Sequence, residues 1–149
     1  MSKIVLEAIG KVCNGVTARP PDGWGHVRSE VVIDELLSEH LEGLEEFSHI
    51  VVVCWMHRCP TDSPPPTKVH PCGRADLPLV GLFASRAQHR PNSLGITVVK
   101  LEERRGNVLW VTGLDAIDGT PVIDIKPYMP LGERPENIRL PAWVAKLQT

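Results

Sequence analysis

The chain has 149 residues, of which 42% are hydrophobic and 23% charged. These values fit one globular domain and exclude a largely disordered chain. Sixteen Lys and Arg against eighteen Asp and Glu leave a formal charge of −2, which argues against a protein whose whole surface is built to coat nucleic acid.

No apolar run approaches the roughly 20 residues of a membrane-spanning helix. The first residues, M-S-K-I-V-L-E, lack the pattern of a signal peptide, so no membrane association is expected and the chain reads as cytoplasmic. Cys13, Cys54, Cys59 and Cys72 form no C-x-x-C pair, and free thiols are the expectation. Cys59, His70 and Cys72 lie close in sequence, with His57 just before them. Zinc sites use tighter paired spacing, so no metal is expected.

Residues 3–12 (K-I-V-L-E-A-I-G-K-V) read as a strand, and the Gly- and Pro-containing stretch 13–25 as a loop. Val27, Val31 and Ile33 alternate with Arg28, Glu30 and Asp34, which predicts a half-buried strand. Leu37, Leu41, Leu44 and Phe47 recur at helical spacing and predict a short amphipathic helix weakened by Gly43. The apolar run 48–56 predicts a strand buried on both faces. Residues 59–79 carry six prolines and form a long loop, a kind that is commonly functional. Strands are expected again at 79–84, 95–103, 108–114 and 121–126. Turns at Arg105-Gly106-Asn107 and Asp118-Gly119 separate the later ones. Residues 141–147 predict a short helix with proline at its first position.

Strand-turn-strand dominates, without repeated crossover helices. The expected fold is mainly β: a small, mostly antiparallel barrel over 1–130 with one or two short helices. Residues 131–149 form a tail belonging to the same domain. Rossmann, Walker, H-E-x-x-H and nucleophile-elbow motifs are missing.

Three polar segments could carry chemistry. His57-Arg58 ends the buried run, and its plain reading is a strand that surfaces. In S-R-A-Q-H-R-P-N-S-L-G (85–95), Arg86, His89 and Arg90 form either a solvated basic loop or a carboxylate- or phosphate-binding loop. In G-L-D-A-I-D-G-T-P-V-I-D-I-K-P-Y (113–128), Asp124 lies inside a strand whose face should be interior. A buried carboxylate needs a partner or a function, and Lys126 shares its face.

With these segments collected, the sequence resembles the TsaA/TrmO-like proteins, a β-barrel class of S-adenosylmethionine-dependent methyltransferases. The carriers are D-G-W-G-H-V, L-E-G-L-E-E-F-S-H-I-V-V-V-C-W-M-H-R, K-V-H-P-C-G, the R-P-N block and the D-I-K-P-Y block, in order over roughly 4–130. The resemblance implies a small barrel distinct from Rossmann-like methyltransferases, and a homodimer with S-adenosylmethionine bound near the subunit interface. It also implies N6-methylation of a threonylcarbamoyl-modified adenosine beside the tRNA anticodon. Carried over by position, the cofactor-binding set is His57, Arg58, Arg86, Ile96 and the stretch Asp115, Ala116, Ile117 and Asp118. Arg86 would hold the carboxylate, an aspartate the ribose or an amine, and Ile96 the adenine face. Asp124, Tyr128 and His57 are the candidates for proton acceptance.

The R-P-N block departs from the family pattern at Ala87, Gln88 and Ser93, and Cys72 stands where many members carry arginine. The chain also ends soon after the barrel. These departures keep two alternatives open: methylation of a small molecule, and a non-catalytic S-adenosylmethionine-binding module.

Overall fold

The computed structural model describes residues 1–148, and Thr149, the end of the expected tail, lies outside them. The chain forms two compact units: residues 1–57 with 94–128, and residues 58–93 with the segment from Met129 onward. Eight strands follow in chain order: β1 (Gly10–Cys13), β2 (Arg28–Ile33), β3 (His49–Trp55), β4 (Lys68–Val69), β5 (Val80–Gly81), β6 (Leu94–Arg105), β7 (Val108–Thr112) and β8 (Pro121–Pro127). Six of them close the first unit into a barrel in the order β1-β2-β7-β6-β3-β8, every pair antiparallel. The expected mostly antiparallel barrel is therefore observed, with residues 58–93 grouped in the other unit.

Period-two alternation sends one side of each strand to the interior. On β2 these are Val31 and Ile33, as the sequence predicts, together with Ser29. The β3 run is divided differently from expectation. Ile50, Val52 and Cys54 are buried, whereas Val51, Val53 and Trp55 are only half-buried on the outside. A closed barrel has a single interior, so an unbroken apolar run fills it with alternate residues only. Burial pushes the Cys54 thiol up to about 12, which makes it inert as a nucleophile.

The expected strand over 3–12 shrinks to β1. Its ladder to β2 ends at Gly10↔Ile33 and its ladder to β8 spans two residue pairs. Ile9 still donates to the Val122 carbonyl (2.8 Å) and accepts from the Asp34 N–H (2.9 Å), and residues 3–8 make no backbone hydrogen bond among the described residues. Residues 1–8 are exposed, Ile4, Val5 and Leu6 among them. Gly10 is required by packing: a Cβ there would collide with the Val32 carbonyl and stand 2.9 Å from Ile33 Cα.

The amphipathic segment forms two 3-10 turns, Glu35–Leu41 and Leu44–Glu46, broken at left-handed Gly43. Asp34 opens the first by accepting a hydrogen bond from the Leu36 N–H (3.0 Å). Leu41 reaches the core, with Leu37 and Leu44 packed against it. Strand β6 has 12 residues and a bulge between Leu101 and Glu103, so that its first half pairs with β3 and its second with β7. Gly106 and Gly119 take positive φ in the two expected turns.

In the second unit, 79–84 is not one strand but the two-residue β5 followed by a 3-10 turn, Leu82–Ala84. Its partner β4 is equally short: Pro64–Pro66 and Pro71 lie on either side of β4 and Pro78 precedes β5, which removes ladder donors. The expected C-terminal helix is a 3-10 turn, Ala142–Gln148. Arg74 joins it to the loop region: two of its nitrogens donate to Asp76 (3.1 and 2.8 Å), and a third donates to the Lys146 carbonyl (2.6 Å).

Candidate functional site

Antiparallel topology brings several loops to one end of the barrel. β3 ends there at Trp55, β6 starts at Leu94, β7 ends at Thr112 and β8 starts at Pro121. His57, Ile96 and the stretch Asp115–Asp118 therefore occupy the same end. His57 is half-buried, and its Nδ1 is buried without a hydrogen-bond partner among the described residues. A buried polar atom left unpaired is costly.

The four residues 115–118 do different things. Ala116 is buried, and its carbonyl accepts from Asn14 Nδ2 (2.9 Å). The Ile117 carbonyl accepts from the Thr120 hydroxyl (2.6 Å). Asp118 clamps the loop after β1: its Oδ1 accepts from the backbone N–H groups of Asn14 (2.8 Å) and Gly15 (3.0 Å). These two donors hold its carboxyl below the usual aspartate range. Asp115 alone is exposed with no hydrogen bond or ion pair among the described residues. Asn14 was not singled out from the sequence, although the turn pairs Asn14-Gly15 and Asp118-Gly119 are the signal that marks both ends of this clamp.

The clamp has a pH signature. A depressed folded-state pKa contributes stability that is complete above the ordinary aspartate range and is lost as pH falls through the folded value. Asp118→Asn should therefore melt below the parent at pH 7, and the gap should narrow as the pH falls below the ordinary aspartate range towards 3. A gap that stays constant between those pH values contradicts an ionised clamp.

Strand register builds a second feature on the barrel's outer face. Val53 of β3 pairs with Ile96 on one side and with Asp124 on the other. Cross-strand partners share a face, so Ile96, Val53 and Asp124 form one outward row, with about 10 Å between its ends. The next row is Val98, Val51 and Lys126. Ile96 is 61% and Val98 50% exposed, an apolar strip beside a charged pair. The expectation of an interior Asp124 is thus corrected: its side chain is 46% exposed and its Oδ2 meets Lys126 Nζ at 3.0 Å. The apolar neighbours Val122 and Ile125 concealed this, because a half-exposed barrel strand also carries aliphatic residues outside. Tyr128 is at the other end of β8, where its N–H donates to the His49 carbonyl (3.1 Å). Four residues separate it from Asp124, roughly 13 Å along the strand.

Asp124 also borders a cleft of about 540 Å³ lined by Ile9, Ile33, Leu37, Leu41, Phe47 and Ile125, among others. The cleft opens where the β1–β8 ladder stops after two pairs.

In the second unit, the three basic residues of the R-P-N loop separate in role. Arg90 donates to the carbonyls of Ser85 and Ala87 (both 3.0 Å) and lies over the Phe83 ring (5.7 Å). His89 contacts the Ser63 carbonyl (3.2 Å). The Ser85 hydroxyl donates to the Leu82 carbonyl (2.7 Å) and accepts from the Ala87 N–H (3.3 Å). Arg86 is exposed and, like Arg58, makes no ion pair or hydrogen bond among the described residues. All four cysteines are free, and among the described residues no three His, Cys, Asp or Glu side chains stand close enough to share a metal ion.

S-adenosylmethionine presents a carboxylate, an amine, a ribose diol and an adenine. Among the described residues the barrel unit offers an unpaired carboxylate (Asp115), an exposed aliphatic side chain (Ile96) and an unpartnered imidazole nitrogen (His57), and the second unit offers an unpaired guanidinium (Arg86). Taken unit by unit, these are the chemical types that the parts of the group call for.

Residues 15–133 match the model of the tRNA-methyltransferase O N-terminal domain. A human relative, tRNA (adenine(37)-N6)-methyltransferase, is 38% identical over 145 residues, covering 91% of this chain and 31% of its own. A Pseudomonas aeruginosa relative, RcsF, whose name invokes S-adenosylmethionine-dependent methyl transfer, is 47% identical over 93 residues (62% of this chain, 38% of its own). The crystal structure of TrmO from Pseudomonas aeruginosa superposes with a TM-score of 0.72 at 30% identity, covering 93% of this chain and 62% of that one. The chain thus spans about a third of the length of the human and RcsF relatives.

Proposed function

Because the chain belongs to the family of tRNA-methyltransferase O N-terminal domains, we propose that it transfers a methyl group from S-adenosylmethionine to N6 of adenosine 37 in tRNA. The preferred acceptor in this reading carries a threonylcarbamoyl group, the working form is a cytoplasmic homodimer, and no metal takes part. The observation that carries the reading is Arg86. In a loop braced by its neighbour Arg90, this guanidinium is left exposed with no partner among the described residues.

When bound, S-adenosylmethionine supplies an electrophilic methyl group on a sulfonium centre. The protein's residues bind and orient. Arg86 holds the carboxylate through its two-pronged donor edge, with Arg58 adding positive charge. Asp115 accepts from the amine or the ribose. Asp118, with Ala116 and Ile117, fixes the loop that presents Asp115. The Nδ1 of His57 takes a polar partner that the described residues do not give it, and Ile96 covers an adenine face. Positioning of this kind is a major source of acceleration in transfers between two bound groups. The adenosine N6 must lose a proton, and Asp124 accepts it; His57 and Tyr128 are the other acceptors in the set.

Residues 4–6 support the dimer: three exposed apolar side chains on an unpaired arm are a surface that a second copy would cover. The test combines calorimetric titration with S-adenosylmethionine, light scattering of the same sample, and mass spectrometry of anticodon stem-loop RNA. Micromolar binding, a mass near twice 16.4 kDa and a one-methyl gain on the threonylcarbamoyl-modified RNA are expected. Binding without transfer to this RNA overturns the tRNA reading and leaves a small-molecule methyltransferase or a binding module.

A further inference from the structure

The near-neutral charge of the chain conceals a division. The barrel unit holds eight Lys and Arg against fourteen Asp and Glu, a net −6, whereas the second unit holds eight against four, a net +4.

The pairing of these charges differs in degree: of the eight barrel cations, Lys3, Lys11 and Arg19 carry no ion pair among the described residues and the other five are engaged. In the barrel, Lys100, Arg104, Arg105 and Lys126 each meet a carboxylate, and Arg28 lies 4.8 Å from the centroid of the Trp110 ring. In the second unit, Arg74 meets Asp76 and Arg90 braces its own loop. Arg58, Lys68, Arg86, Arg134 and Arg139 are exposed and carry no ion pair among the described residues. Two of them belong to the proposed cofactor set. Lys68, Arg134 and Arg139 have no assigned role.

The same unit presents an aromatic ring. Phe83 is 79% exposed. It follows the β4–β5 ribbon, in which Lys68 pairs with Gly81 and the Leu82 N–H donates to the Thr67 carbonyl (3.0 Å). Arg90 covers the ring from one side at 5.7 Å. An exposed ring backed by a guanidinium, on a ribbon that also carries an unpaired lysine, is the equipment of single-stranded RNA binding. Cations track phosphates, and the ring stacks on an unpaired base.

We infer that the second unit is the RNA-gripping element, with Lys68, Arg134 and Arg139 on phosphates and Phe83 stacking on a base of the anticodon loop. The inference rests on the tRNA reading and adds the surface and the residues.

The two kinds of contact have different salt signatures. A phosphate contact contributes roughly 0.7–0.9 to the slope of log K against log salt concentration, and a stacked base contributes none. The test is fluorescence anisotropy of the full chain with labelled anticodon stem-loop RNA between 50 and 200 mM salt. Lys68→Gln/Arg134→Gln/Arg139→Gln should flatten the slope by about 2–3. Phe83→Ala should weaken binding about tenfold at every salt concentration with the slope unchanged, and Phe83→Tyr should restore it. S-adenosylmethionine affinity should be the parent's in all three variants.

Parental RNA binding with unchanged slopes and affinities in the variants overturns the inference and leaves the tRNA reading intact. A Phe83→Ala variant that loses the dimer but keeps its RNA affinity makes the ring a subunit contact and equally overturns it. A parent that does not bind the RNA overturns both.

Discussion

Arg86→Glu should lose S-adenosylmethionine binding by a hundredfold or more while melting at the parental temperature. A hydrogen bond to a charged partner contributes about 1.5–3 kcal/mol. The substitution removes up to two such bonds and places a carboxylate against a carboxylate. Each 1.4 kcal/mol is a factor of ten in affinity, so a hundredfold loss is the lower end of the expectation. The fold should not respond, because the Arg86 side chain is exposed and holds nothing among the described residues. Arg90 provides the contrast. Its N–H groups hold the carbonyls of Ser85 and Ala87, so Arg90→Ala should lower the melting temperature as well as the affinity. Calorimetry and a thermal melt separate the two. If Arg86→Glu binds S-adenosylmethionine within threefold of the parent, Arg86 is not the carboxylate ligand.

The barrel was legible because closure asks little of the sequence beyond short alternating runs and turn residues at the right intervals. The hairpin at Gly106-Asn107 and the turn at Asp118-Gly119 could be read directly, since positive φ at Gly106 and Gly119 is a local demand. What a strand needs from elsewhere was not legible. Residues 3–8 have the composition of a strand and no backbone partner among the described residues, and 79–84 fails as one strand because its partner β4 is two residues long. Local pattern also cannot say which side of β3 faces in, because Val51 and Val53 are as apolar as Ile50 and Val52.

The same division holds for the candidate site. The sequence shows that Arg86, His89 and Arg90 are neighbours. Only hydrogen bonding shows that Arg90 is committed to its own loop and Arg86 is not. Asp115 and Asp118 look equivalent in G-L-D-A-I-D-G, yet two backbone N–H groups claim one and none claims the other. The row Ile96–Val53–Asp124 joins residues distant in sequence through register alone. The charge division between the units is cancelled in the total, since residues 58–93 and those after 128 meet only in the fold.

Asp124→Asn should lower kcat by about 10²–10⁴, the usual range for loss of a proton acceptor, and leave S-adenosylmethionine affinity within twofold. The substitution is nearly isosteric. An asparagine Oδ1 still accepts from the Ile125 N–H, as Asp124 Oδ1 does at 2.9 Å, and Lys126 is 68% exposed, so water replaces its partner. Loss of an exposed ion pair typically costs under about 1 kcal/mol, and the melting temperature should hardly move. The variant keeps shape and hydrogen bonding and loses only the ability to take a proton. Asp124 ranks ahead of Tyr128 because it shares an outward row with Ile96, whereas Tyr128 lies roughly 13 Å further along the strand. Tyr128→Phe should therefore cost less than Asp124→Asn. Single-turnover methylation with saturating S-adenosylmethionine reads the step directly. A fall of less than tenfold for Asp124→Asn means that the N6 proton leaves to water, His57 or Tyr128, and His57→Gln and Tyr128→Phe, measured the same way, then decide among them.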